Sequence, residues 1–163
     1  MVKAMIVQNQ KNRSRSFAET ERMRFDVGNT SRGRSSVRVL VVEDFVPFRQ
    51  FVCSTLGKRR DLQVICEVSD GLEAVQKAQE LKPDLILLDI GLPTLNGIEA
   101  ARRIRKLAAE SNIIFLSQES SADVVQEALS LGAQGYVLKT RAASELLTAV
   151  EAVMLGKQFV GTI

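Results

Sequence analysis

The chain has no histidine among its 163 residues. That excludes Ser-His-Asp chemistry, HExxH zinc sites and a phosphohistidine relay within the chain. There are two cysteines, Cys53 and Cys66, with no metal or redox spacing, and each lies among apolar residues. They read as two reduced core thiols of a cytoplasmic protein. Aromatic residues make up only 5%, against 45% hydrophobic and 25% charged, the balance of a soluble α/β or α-rich protein. No apolar run approaches the roughly 18 residues of a membrane span, and the start lacks a secretory h-region. No GxGxxG or Walker loop is present, which argues against a nucleotide-binding module. No internal repeat is visible.

What is present is unevenly distributed. Residues 1–36 hold eight basic residues (Lys3, Lys11, Arg13, Arg15, Arg22, Arg24, Arg32, Arg34) against three acids (Glu19, Glu21, Asp26), a net +5. The remaining 14 basic and 16 acidic residues give 37–163 a net −2, within a total of +3. The head is rich in Ser, Arg, Asn and Gln and has no sustained period. It reads as a basic, disordered tail preceding one compact domain, 37–163. A phosphate-binding arm is the other reading, weakened by its three acids.

From Val37 the pattern becomes regular. Val37–Val42 is a β-branched run. A helix spans Val46–Leu56, with Phe48, Phe51, Val52 and Leu56 on one stripe and Gly57 as its stop. A strand covers Leu62–Val68. Asp70 then opens a helix, with Glu73 three residues on, that ends near Leu81 ahead of Pro83. Further strands fall at Asp84–Leu88, Asn112–Leu116 and Gly135–Leu138. Further helices fall at Gly97–Leu107, from Ser120 and Ser121 to Gly132, and at Ala142–Leu155. Five short, two-sidedly apolar strands alternating with five helices predict a doubly wound, flavodoxin-like α/β domain. Its parallel sheet has the order 2-1-3-4-5, with helices on both faces.

The residues following each strand carry chemistry. Glu43 and Asp44 follow the first, Asp89 ends LILLD of the third, Ser117 follows the fourth and Lys139 the fifth. In such a sheet all these carboxyl ends share one edge, at the crevice beside the switch point. Three carboxylates gathered there repel one another and require positive charge. Oxygen donors without His or Cys favour a hard cation, Mg²⁺ first and Mn²⁺ second, and Lys139 adds an ammonium. A carboxylate in that setting can attack phosphorus and form an aspartyl phosphate, with the cation, Lys139 and Ser117 each meeting one phosphoryl oxygen. Plainer readings exist for each residue. Asp44 could cap a helix, Glu43 and Lys139 could be solvated, Ser117 could be loop chemistry and Tyr136 could be core.

The segments VVEDFVPFR, LILLDIGLPTLNGIEAARRIR, IIFLS and GAQGYVLKT resemble the response-regulator receiver domain of two-component signalling, over about 37–156. GAQGYVLK and the Ala-rich last helix are most similar to receivers that precede a helix-turn-helix output domain. The resemblance implies that Asp89 accepts phosphate from a histidine kinase or phosphotransfer protein. It implies that Asp44, Asp89 and the Gly91 carbonyl ligate Mg²⁺, with Glu43 acting through water. It implies that Ser117 and Lys139 grip the phosphoryl group and that Tyr136 turns inward as Ser117 moves. The readout surface would lie on the fourth helix, fifth strand and fifth helix. Val124, Val125, Ala128 and Leu129 are candidates there for a downstream protein or a phosphorylation-dependent homodimer, while at least half of them read as ordinary core at helical spacing.

The chain runs only seven residues past Gly156, too few for an output domain of about 50 residues. Direct DNA binding by the compact domain is therefore not expected, unless the chain is the receiver half of a truncated transcriptional regulator. No enzymatic turnover is expected beyond phosphorylation and dephosphorylation of Asp89 itself. A Mg²⁺-dependent phosphohydrolase of the haloacid-dehalogenase type is the rival, but such enzymes place a second Asp where this chain has Gly91.

Overall fold

The computed structural model describes residues 35–163. All but the last two residues of the 1–36 segment read as a tail lie outside the described residues. The element order is β1 (Val37–Val42), α1 (Val46–Leu56), β2 (Leu62–Val68), α2 (Gly71–Leu81), β3 (Leu85–Asp89), α3 (Gly97–Leu107), β4 (Asn112–Ser117), α4 (Ala122–Ser130), β5 (Gly135–Leu138), α5 (Ala142–Met154) and β6 (Phe159–Val160). A short 3₁₀ turn, Lys139–Arg141, joins β5 to α5.

Local signals explain the boundaries. Asp70 accepts hydrogen bonds from the amides of Leu72 and Glu73 and so caps α2, which ends where Lys82 enters the left-handed region just before Pro83. Asn96 caps α3 by accepting from Glu99 N, and Ser121 caps α4 by accepting from Val124 N. Glu99 in the first turn and Arg105 and Lys106 in the last turn of α3 complement its dipole.

The strands form one parallel sheet in the order β2-β1-β3-β4-β5-β6. Successive side chains along a strand point to opposite faces, so each central strand feeds two cores. Leu40, Val42, Ile86, Leu88, Ile113, Phe115 and Tyr136 meet Ala74 and Ala78 of α2, Ala101 and Ile104 of α3, and Val125 and Ala128 of α4. On the other face Val39, Val41, Leu85, Leu87, Ile114, Leu116 and Val137 meet Val52 and Leu56 of α1 and Leu146, Ala149, Val150 and Val153 of α5. Leu85 to Leu88 are all fully buried. Each such side chain stabilises the fold by about 1.5–3 kcal/mol relative to exposure, and a slip by one residue would exchange the faces.

Three features differ from the sequence reading. The sheet has a sixth strand. After α5, Gly156 takes φ +77° and Lys157 N bonds back to Ala152 O, which reverses the chain. Phe159 N then reaches Gln134 O and Gly161 N reaches Tyr136 O, each at 2.9 Å. A two-residue strand is too short to show a period. Phe51, expected on the inward stripe of α1, is exposed and stacks on Phe48 at 5.7 Å. Finally, Val125 and Ala128, read as part of a partner surface, are buried against the sheet because they occupy the inward stripe of α4. Val124 and Leu129 are half-buried and retain some exposure.

Candidate functional site

The strand register builds the site. Val42 pairs with Leu88 across β1 and β3, so Glu43 and Asp89, one residue beyond each, sit side by side. Asp89 pairs with Leu116 and Ser117 pairs with Leu138, which brings Ser117 and then Lys139 along the same rim. At the start of α3, a Cβ on Gly97 would run into the Asp89 carbonyl. Only glycine lets this helix begin so close to the end of β3, where Gly97 N bonds Ile90 O at 2.9 Å.

Lys139 Nζ lies 2.7 Å from Glu43 Oε2 and 3.1 Å from Asp89 Oδ2. Asp89 Oδ1 accepts from Gly91 N at 3.0 Å, and Glu43 Oε1 accepts from Phe45 N at 3.0 Å. Glu43 is wholly buried, Asp89 is 4% exposed, and Asp44 stands exposed at the rim. One ligand oxygen from each of Glu43, Asp44 and Asp89 lies within 4.8 Å of the others. Burial pushes the Glu43 carboxyl above its ordinary range. The Lys139 hydrogen bond pulls it back, and the Asp89 charge pushes it up again. Ser117 is 2% exposed and its Oγ accepts from Glu119 N at 3.0 Å. Tyr136 is fully buried, and its hydroxyl donates to the Glu119 carbonyl at 2.7 Å. Burial raises its phenol pKa.

The acids, Ser117, Gly91 and Lys139 are therefore gathered in one place. All but Glu43, which is buried beneath, line an open cleft of about 720 Å³. Asp44 is not a helix cap: the N-cap of α1 is Phe45, without a side-chain hydrogen bond. Lys139 is not a solvated lysine, since its side chain is 13% exposed and doubly paired. The sequence reading missed Phe45, Phe48, Ile90, Gln118 and Thr140 in the lining. It also missed Arg49, which donates to the Glu43 carbonyl at 2.8 Å. Position beside a strand end was the available signal for most of these.

Three carboxylates facing one ammonium leave an excess of negative charge in a partly desolvated cleft. Donors that are all oxygen, this close together, fit a hard divalent cation such as Mg²⁺. The residues present thus suit such an ion.

A doubly wound parallel sheet with acids and one lysine at its carboxyl edge defines a receiver. The chain belongs to the response regulator receiver domain family, whose sequence profile matches residues 39–151. It is 36% identical over 121 residues to the transcriptional regulatory protein LiaR of Bacillus subtilis, covering 74% of this chain and 57% of LiaR. It is 34% identical over 122 residues to the response regulator protein VraR of Staphylococcus aureus, covering 75% and 58%. The chain thus spans less than two thirds of the length of these relatives. Among solved structures it resembles a LuxR-family two-component response regulator from Aurantimonas sp., with TM-score 0.73 and 30% identity over 77% of this chain and 89% of that one. It also resembles the response regulator domain of Thermotoga maritima CheB, with TM-score 0.68 and 37% identity over 74% and 97%. No helix of the described residues is long and apolar enough to cross a membrane.

Proposed function

We propose that this receiver is the phosphorylatable switch of a two-component pathway, taking a phosphoryl group onto Asp89 from a histidine kinase or phosphotransfer protein. The observation that carries the reading is the Asp89 carboxylate. It is nearly buried, 3.1 Å from an ammonium, with two further carboxylates within 4.8 Å. Such crowding costs stability and is expected where it supplies reactivity.

A carboxylate oxygen of Asp89 attacks phosphorus, the P–N bond of the donor phosphohistidine breaks, and its electron pair returns to the imidazole. Gly91 N–H orients the nucleophile. Lys139 Nζ neutralises charge on one phosphoryl oxygen. The Ser117 hydroxyl, which accepts from Glu119 N, keeps its own proton to donate to another. Held by Asp44, Asp89, the Gly91 carbonyl and, through water, Glu43, Mg²⁺ (or Mn²⁺) would supply further positive charge against those oxygens. Displacement of Ser117 toward phosphate draws on Glu119, whose carbonyl receives the Tyr136 hydroxyl. Tyr136 is thereby linked to the event, and the face formed by α4, β5 and α5 carries it onward to a partner or a second copy. Val124 and Leu129 are its available apolar contacts. The two free thiols fit the cytoplasm as the compartment.

Intact mass after incubation with Mg²⁺ and acetyl phosphate tests this. One added phosphoryl group is expected on the native chain and none on Asp89→Asn. Labelling of both, or of neither, refutes the proposal. A second reading, favoured by the length and names of the relatives, is the receiver half of a DNA-binding regulator. Sequencing of the transcript beyond codon 163 distinguishes the two.

A further inference from the structure

Phe48 sits in the first turn of α1 and lines the cleft with Asp44, Asp89 and Lys139. The Lys139 ammonium lies 5.1 Å from the centre of that ring. Phe48 also stacks on Phe51 at 5.7 Å, with 29° between the ring planes, and packs, half-buried, against the core shared with α5. The ring is thus held by its neighbours while its face meets the ammonium. Lys139 follows the four-residue β5 at the start of a 3₁₀ turn, and its two anionic partners lie just after β1 and at the end of β3. Its charged partners and the Phe48 ring thus come from other elements of the fold. A ring face is negative and attracts a cation within about 6 Å. It also denies water to one flank of the ammonium, which strengthens the pairing with Glu43 and Asp89.

We infer that Phe48 is a positioning residue for the phosphoryl-transfer reaction: its ring face holds the Lys139 ammonium where it meets the phosphoryl oxygens. The inference rests on the proposed role of Asp89. It goes beyond it by giving α1 a part in the chemistry that the acids and Lys139 alone do not have. Phe48 touches no reacting atom and acts through Lys139.

The measurement is the phosphorylation rate from acetyl phosphate at saturating Mg²⁺ for the native chain and for Phe48→Tyr, Phe48→Leu and Phe48→Met. Mg²⁺ affinity by calorimetry and the unfolding midpoint are followed in parallel. Leu and Met keep apolar bulk but remove the π-face, and their rates should fall roughly 3- to 10-fold, within the span of cation–π strengths for a partly desolvated pair. Phe48→Tyr keeps the face and should stay within about twofold of native. Mg²⁺ affinity should move little in every variant, since a hard cation takes oxygen donors and the Phe48 ring supplies none. Equal rates for Leu, Met and native overturn the inference, as does a Tyr variant as slow as Leu. A fall in rate matched by an equal fall in Mg²⁺ affinity also overturns it, because that signals general distortion of the site. Should one aliphatic variant fail to fold, the other still gives the comparison with Tyr. If the native chain itself takes no phosphate, it is the Asp89 reading that fails, and the two failures are distinct.

Discussion

Lys139→Met isolates the electrostatics of the site. The native ammonium faces Glu43 at 2.7 Å and Asp89 at 3.1 Å, with side-chain exposures of 13%, 0% and 5%. Methionine preserves the apolar stem and removes the charge, leaving the three clustered carboxylates with no cation among them. Breaking a buried ion pair from one side costs about 3–5 kcal/mol, because the other side stays buried and uncompensated. Here the cleft is open and water can reach Asp44 and part of Lys139, so about 2–3 kcal/mol is expected. For a domain of this size each kcal/mol lowers Tm by roughly 4 °C. Circular dichroism melts in EDTA should therefore show a fall of about 8–12 °C. Mg²⁺ should act in the opposite sense. Without the competing ammonium the acids bind a divalent ion more tightly, and the rise in Tm on adding Mg²⁺ should exceed that of the native chain. The rate of phosphorylation from acetyl phosphate should fall about 100-fold, the usual loss when one preorganised charge partner is removed. A variant that melts in EDTA at the native temperature, and gains no more from Mg²⁺ than the native chain, would show that the lysine does not offset the acids.

Two further expectations follow from local packing and titration. In Gly97→Ala the added methyl meets the Asp89 carbonyl and comes within 2.8 Å of Ile90 Cα, so β3 and α3 must part. Overpacking of this kind costs about 1–3 kcal/mol, and urea titration should report it together with weaker Mg²⁺ binding. An unchanged midpoint and unchanged affinity would count against the close approach. Burial, and after it the Glu67 charge, pushes the Cys53 thiol up to about 11. Only the thiolate is alkylated, so at pH 8 iodoacetamide should modify Cys53 about two orders of magnitude more slowly than a free thiol. Its rate should climb as pH rises toward 11, as peptide mass spectrometry can follow. Free-thiol kinetics at pH 8 would contradict the burial argument.

The element sequence was legible because strand and helix periods were clean and punctuated by interpretable residues. Asp70, Gly57, Pro83 and Gly132 each marked a boundary by local chemistry. Gly132 takes φ +82° where α4 ends. The candidate site was legible because a parallel sheet maps every strand's carboxyl end to one edge, so Glu43, Asp89, Ser117 and Lys139 could be placed together without coordinates. What depends on tertiary contact was not legible. Whether Phe51 or Phe48 faces inward is decided by the angle at which α1 crosses the sheet, and periodicity alone assigned both to the core. For the same reason periodicity left Val125 and Ala128 open between a partner surface and the core, and the packing of α4 decides for the core. β6 depends on the reversal at Gly156 and on the pairing of Phe159 and Val160 with Gly135 and Tyr136, and two residues carry no period.

That added strand bears on how the molecule behaves when concentrated. An uncovered sheet margin offers unpaired amides and carbonyls as a template on which other chains can stack. Alongside β5 that template is occupied by β6, which is itself too brief to recruit a neighbour. Among the described residues no strand pairs with the opposite margin, the seven-residue β2, where Gln63 and Glu67 are exposed and the Glu67 carboxylate lies 3.4 Å from the Arg49 guanidinium. Fibril-like growth is thus blunted on one side by length and on the other by the charged Glu67–Arg49 pair. Neutralising Glu67 is the change that would weaken this protection first.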